Sequence, residues 1–182
     1  MGSEMCIRDS LCVLYAFLYT TGPYPLSYNG WGDVLVIVFF GFVPVGGPYS
    51  VQALTWTSDT TVASLICGLL IDTLLVVNNY RDREADARSG KRTVIVRFGE
   101  KFGRYLYLML GVAASLLCFW FFFEGHLFAA LLPLLYLIPH VLTWRRMVQI
   151  HSGKKLNSIL GETSRNMLLM GILLSIGFLI RH

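Results

Sequence analysis

Residues 105–123 read YLYLMLGVAASLLCFWFFF, nineteen positions from Tyr105 to Phe123 without one charged side chain. Residues 127–144 read LFAALLPLLYLIPHVLTW, eighteen more from Leu127 to Trp144. A bilayer core of roughly 30 Å is crossed by about 20 helical residues. Lipid offers the backbone no hydrogen-bond partner, so such runs must be helical. A helix in a soluble bundle keeps a polar face, and these runs have none. The fold class they predict is all-α, a polytopic membrane helical bundle.

Working outward gives five full spans: about Val34–Leu54, Thr60–Val77, the two runs above, and Thr163–Ile180. Pro44, Gly46, Gly47 and Pro48 interrupt the first. Leu11–Tyr19 is apolar but too short to cross, and reads as a partial span. Residues 1–10, MGSEMCIRDS, read as a non-native-looking leader, and 11–182 as the membrane domain. Composition agrees: 55% of the 182 residues are hydrophobic and 14% charged, with mean hydropathy +0.60, where a soluble domain carries about 25% charged residues. Cys6, Cys12, Cys67 and Cys118 have no metal-ligand spacing and suggest no disulfide framework.

Charge sets the topology. Of 15 Lys and Arg, eight lie in the link Tyr80–Arg104 and five in or beside Arg145–Glu162. Two spans separate these links, so both fall on one side, and the positive-inside rule makes that side cytoplasmic. The expected location is the cell inner (cytoplasmic) membrane, multi-pass. The net charge of +4 serves topology and suggests no nucleic-acid partner. Trp56, Tyr80 and Trp144 fit interfacial belts.

Polar chemistry concentrates at 78–93, NNYRDREADARSGKRT. Asn78, Asp82 and Asp86 are spaced four apart, along one side of a continued helix, with Asn79 and Asp86 nearly eclipsed and Gly90 a stop signal. Carboxylates at i and i+4 repel unless a cation lies between them. Mg²⁺ takes one or two carboxylates together with substrate phosphates, and Arg88, Lys91 and Arg92 could clamp those phosphates; Arg81 and Arg83 are nearer still. Against this stands a solvated loop of intrahelical ion pairs, and spacing alone leaves the two open.

The string NNYRDREADARSGKRT with VIVRFG (Val94–Gly99) resembles the second aspartate-rich motif of the UbiA superfamily of membrane prenyltransferases, most closely the 1,4-dihydroxy-2-naphthoate polyprenyltransferases of menaquinone synthesis. Their pattern is NNxRDxxxDxxxGKRT, then R-x-G. Tyr19–Leu26 resembles the family's Y-x-x-G-P-x-P-L segment, and Gly161-Glu162-Thr163 also agrees. The resemblance implies the C-terminal part of a nine-helix bundle, with two aspartate-rich motifs facing each other at a cytoplasmic mouth. It implies Mg²⁺ as cofactor, and polyprenyl diphosphate and an aromatic acceptor, 1,4-dihydroxy-2-naphthoate, as partners within the lipid bilayer, giving demethylmenaquinone. Mapped here, Asp82 and Asp86 are catalytic and, with Asn78, metal-binding. Asn79, Arg81, Lys91, Arg92 and Asp72 are substrate-binding. The family's first motif has no match in the chain, so the expectation is a C-terminal fragment, inactive alone.

Asp72, within LLIDTLLVV, either lines the cavity toward the acceptor or bonds a neighbouring helix. His140 reads as a helix–helix hydrogen-bond partner, Phe121–Phe123 as lipid-facing, and Tyr49 and Gln52 as acceptor contacts or packing. The competing classes are the 4-hydroxybenzoate and haem branches, a CDP-alcohol phosphotransferase, whose D-x2-D-G-x2-A-R pattern is absent, and a transporter, which would spread polarity along several spans.

Overall fold

A computed structural model describes residues 30–180. The leader, the partial span Leu11–Tyr19, the Tyr19–Leu26 segment and His182 lie outside the described residues. Among the described residues every regular element is helical, and five helices are long and apolar enough to cross a membrane. They are α1 (Gly32–Ala53), α2 (Ser58–Arg88), α4 (Glu100–Phe123), α5 (Leu127–Ile150) and α6 (Lys154–Leu179), with a short α3 (Val94–Phe98) between α2 and α4.

Pro44 does not interrupt α1. The stretch Ile37–Gly46 widens to π-helical turns instead, which take up a proline that cannot donate to the preceding turn. Pro133 is absorbed similarly, by 3₁₀ turns over Leu132–Tyr136 in α5. The last span begins earlier than hydropathy suggested, so Gly161-Glu162-Thr163 lies inside α6 rather than before it.

Small residues let the helices approach. A Cβ on Gly41 would come within 2.5 Å of the Ser64 carbonyl oxygen, and one on Gly68 within 2.9 Å of the Ile37 Cα, so α1 and α2 cross nearly backbone to backbone. Gly177 of α6 meets Ala129 of α5 in the same way. Between spans in lipid, van der Waals packing of this kind is a main source of cohesion.

Two apolar clusters fill the bundle. One gathers Val76, Val77, Tyr107 and Met147 near the basic end; the other gathers Ile66, Ala114, Phe121 and Met170 toward the opposite end. Phe121 corrects the lipid-facing expectation: it is buried edge-on against Phe178, ring centroids 4.8 Å apart, while Phe122 and Phe123 are exposed. Tyr80 is also corrected. It is wholly buried, and its hydroxyl accepts from Arg104 Nε at 2.9 Å. His140 is buried between Tyr107 and Tyr136; Tyr136 Oη lies 2.9 Å from its Nδ1, and its Nε2 lies 3.3 Å from the Leu108 carbonyl of α4. Cys67 and Cys118 are unbridged thiols.

Candidate functional site

The length of α2 builds the site. Its 31 residues measure about 46 Å at 1.5 Å per residue, some 16 Å more than a bilayer core of roughly 30 Å. The Thr57 hydroxyl caps its start by accepting from the Thr60 amide at 3.2 Å, so the excess appears at the other end, from Asn78 to Arg88. That segment therefore stands beyond the apolar span as one continuous helix, as the four-residue spacing predicted.

Gly90 ends it. With φ +77°, a value that glycine adopts at little cost, it reverses the chain so that the Lys91 amide donates to the Asp86 carbonyl at 2.9 Å. This returns the Lys91 side chain over Asp86, with Nζ 3.5 Å from Oδ2. Thr93 then caps α3, its buried hydroxyl accepting from the Val96 amide at 3.3 Å. The GKRT string thus has a local physical meaning: turn, cation and cap.

The acidic residues are not equivalent. Asp82 is held by Arg81 through two hydrogen bonds, 2.7 Å from Nε and 2.6 Å from Nη2. Arg81 Nη1 reaches on to Asn157 of α6 at 2.9 Å. Asp82 lies beyond the apolar span, and the guanidinium bonded to it holds its carboxyl below the usual carboxylate range. Asp86 has a buried oxygen, Oδ2, that makes no hydrogen bond; Lys91 stands only at ion-pair distance. Asn78 is exposed, whereas Asn79 is buried at 7% exposure. Asp72 and Asn79 are therefore the buried members of a row that continues to the half-buried Asp86, at successive intervals of seven. Asp72 is 1% exposed and its Oδ1 has no partner among the described residues.

A narrow cleft opens beside this row, lined by Asp33, Leu75, Asn79, Lys91 and Thr93. Asp33 comes from the first turn of α1, and its Oδ1 is also buried without a hydrogen bond. Sequence reasoning missed Asp33. The available signal was an acid at the opening of an otherwise apolar span, Gly32-Asp33-Val34. Arg88 is exposed, as is Arg92, which lies between the cleft-lining Lys91 and Thr93. Arg83 is committed elsewhere: it donates to the Tyr80 carbonyl at 2.7 Å, pairs with Glu100 at 3.3 Å and lies over the Tyr80 ring. Tyr49 and Gln52 sit near the C-terminal end of α1, at the far end of the bundle from Asp82 and Asp86.

The same end gathers both polar links. Glu100 bonds Arg104 of its own helix and Arg83 of α2, and His151 Nε2 lies 3.1 Å from it. The segments 80–104 and 145–162 thus meet on one side of the bundle, as the span count required.

The donor set suits a hard divalent cation in part. Asp82 and Asp86 offer carboxylate oxygens, one of them unpartnered. No group of three or more His, Cys, Asp or Glu among the described residues could hold a metal ion. An ion here would need further oxygen ligands, and Mg²⁺ commonly draws these from phosphates and water.

Comparison with known proteins bears on the family. The chain is 37% identical over 178 residues to the 1,4-dihydroxy-2-naphthoate octaprenyltransferase of Haemophilus influenzae, covering 93% of this chain and 56% of that protein. It is 38% identical over 112 residues to the Escherichia coli protein of the same name, covering 62% of this chain and 36% of that one. It is 29% identical over 186 residues to the UbiA prenyltransferase domain-containing protein 1 of Dictyostelium discoideum. The chain spans about half the length of the Haemophilus and Dictyostelium relatives and about a third of the Escherichia coli one. No solved structure matches it. The family profile of UbiA prenyltransferases matches residues 10–178, nearly the whole sequence, and with the membrane bundle and its acid-bearing helix end this places the chain in the UbiA prenyltransferase family.

Proposed function

We propose that this chain carries the diphosphate-binding end of a Mg²⁺-dependent transferase that moves a polyprenyl group from polyprenyl diphosphate to 1,4-dihydroxy-2-naphthoate. The observation that carries this reading is the pairing of Asp82 and Asp86 with Lys91 on a helix end that stands just outside the apolar span. Acids to hold a cation and a base to hold phosphate are both present there, beside lipid that can dissolve a polyprenyl tail. The names borne by the relatives supply the acceptor.

In this reading Asp82 and Asp86 hold the ion, with Asn78 at the exposed edge of the same face. Bound Mg²⁺ would supply Lewis acidity and neutralise charge gathering on the diphosphate as it leaves. Arg81 fixes the Asp82 carboxylate in one orientation, as outer partners of metal ligands do. Lys91 and Arg92 bind phosphate oxygens, and Lys91 must leave Asp86 to do so. Asn79 and Asp72 run inward along the same row, toward the depth at which an allylic carbon would follow its diphosphate. Asp72 lies about 15 Å from Asp82 along the helix, too far for a shared ion, so its place is with the acceptor. The basic links are assigned to the cytoplasmic face of the inner membrane.

The test is a transfer assay in membranes, with radiolabelled acceptor and octaprenyl diphosphate, on the enzyme that includes this segment. Asp82→Ala and Asp86→Ala are each expected to lower turnover at least a hundredfold, and Glu84→Ala less than twofold. Turnover that survives loss of both Asp82 and Asp86 would refute the assignment.

A further inference from the structure

Arg81 and Asp82 are neighbours in the chain, and neighbours on a helix do not face each other. Yet the Arg81 guanidinium closes on Asp82 through both Nε and Nη2, at 2.7 and 2.6 Å. In a partly exposed ion pair the entropy of holding long side chains in one geometry offsets much of the attraction, so this arrangement gains from a further point of attachment. Asn157, near the start of α6, supplies it: Arg81 Nη1 donates to Asn157 Oδ1 at 2.9 Å. All three guanidinium nitrogens are then engaged, and the plane of the group is fixed.

Asn157 is itself held in place. It stands between Leu156 and Ile159, both wholly buried in the cluster that takes Val76, Val77 and Tyr80 of α2. Tyr80 immediately precedes Arg81. The Asn157 oxygen therefore reaches Arg81 from a packed helix start and not from a free loop. Its residue type suits the task, because an amide oxygen accepts a hydrogen bond without setting a second anion against Asp82 for the same cation. Glu100, the acid that serves this end of the bundle, is taken by Arg83, Arg104 and His151.

We infer that Asn157 is a positioning residue for the metal–diphosphate end of α2. It acts through Arg81, holding the guanidinium against Asp82 so that this carboxylate meets an incoming cation in one orientation. This rests on the diphosphate reading above. The link 145–162 thus contributes one side chain to a site otherwise carried by α2 and the turn that follows it. Outer partners of metal ligands commonly change metal affinity about 10–100-fold, and Asn157 acts one residue further out, so a smaller effect is expected.

The chain is reconstituted in lipid nanodiscs and read in two ways. Without metal, the nitrogen-15 resonance of Arg81 Nε is followed, identified by its loss in Arg81→Lys. With metal, Mn²⁺ binding in the presence of inorganic pyrophosphate is followed by electron paramagnetic resonance. Asn157→Leu removes the acceptor at nearly the same size. It is expected to move the Arg81 resonance to the position of exposed arginines and to weaken Mn²⁺–pyrophosphate binding at least threefold. Asn157→Gln, which keeps the amide oxygen, should stay within twofold of wild type. In an Arg81→Ala background Asn157→Leu should have no further effect on binding, whereas a residue that merely stabilises the start of α6 would act equally in both backgrounds. An unmoved Arg81 resonance in Asn157→Leu, or an equal loss of Mn²⁺ affinity with and without Arg81, overturns the inference. If wild type binds Mn²⁺–pyrophosphate and Asn157→Leu binds it as tightly, the inference fails and the diphosphate reading stands; if wild type does not bind it, both fail.

Discussion

At the scale of the residue, Asp82 and Asp86 divide one task. Asp82 is preset by Arg81, while Asp86 keeps a buried oxygen free of hydrogen bonds beside a movable lysine. The Arg81 pair lowers the folded-state pKa of Asp82. Its contribution to stability is therefore present above the ordinary aspartate value of about 3.9 and is lost as pH falls through the lower folded midpoint. Arg81→Ala should move the Asp82 midpoint upward, read by carbon-13 NMR of the carboxyl; an unmoved midpoint would show that the pair is not formed in solution. His140 sets a second expectation. His140→Ala strands the Tyr136 hydroxyl and opens a hole against Gly111, and should cost about 2–4 kcal/mol from an unpaired polar group and a cavity together, measured as reversible unfolding in mixed micelles. Asn78 and Asn79 show what sequence alone left unresolved. Both fit the motif, yet Asn79 is buried beside the cleft and Asn78 is exposed.

At the scale of the element, α1 and α2 are held nearly backbone to backbone by Gly41 and Gly68. Gly41→Leu would drive a side chain into the Ser64 carbonyl. Overpacking of this kind typically costs about 1–3 kcal/mol, measured as reversible unfolding in mixed micelles. Thr93→Val removes the cap of α3 and should cost about 1 kcal/mol, again by unfolding in micelles, with fraying of α3 visible as faster amide exchange. The helices themselves were legible because lipid permits so few backbone solutions: uncharged runs and Gly90 located α2, its polar extension and its end. Three features were not legible. Pro44 reads as a break, but the helix takes it up by widening to a π-helical stretch. Tyr80 has interfacial character, but it packs into the cluster of Val77, Ile95 and Tyr107, with Arg83 over its ring and Arg104 on its hydroxyl. Asp33 is an isolated acid in the sequence and acquires meaning only from the register of α1 against α2.

At the scale of the whole molecule, polarity is confined to one end. The links 80–104 and 145–162 meet there through Glu100 and Arg81, and the short links meet at the other. In a cysteine-free background, Ser89→Cys and Ser152→Cys should react with a membrane-impermeant maleimide in inside-out vesicles only, and Glu124→Cys in right-side-out vesicles only; labelling of Ser89→Cys and Ser152→Cys from opposite sides would break the topology. The family resemblance carried by residues 78–99 was legible at once, because a sixteen-residue motif that interleaves acids, bases and a turn is hard to produce by packing alone. The division of labour within that motif was not, since it depends on which side chains the turn at Gly90 folds back. The central claim is that the end of α2 is a metal–diphosphate site. It is tested most directly by electron paramagnetic resonance of Mn²⁺ added to the chain in nanodiscs with and without inorganic pyrophosphate. The account predicts Mn²⁺ binding that tightens at least tenfold with pyrophosphate and is lost in Asp82→Asn/Asp86→Asn. Binding that ignores pyrophosphate, or that survives in the double variant, would contradict it.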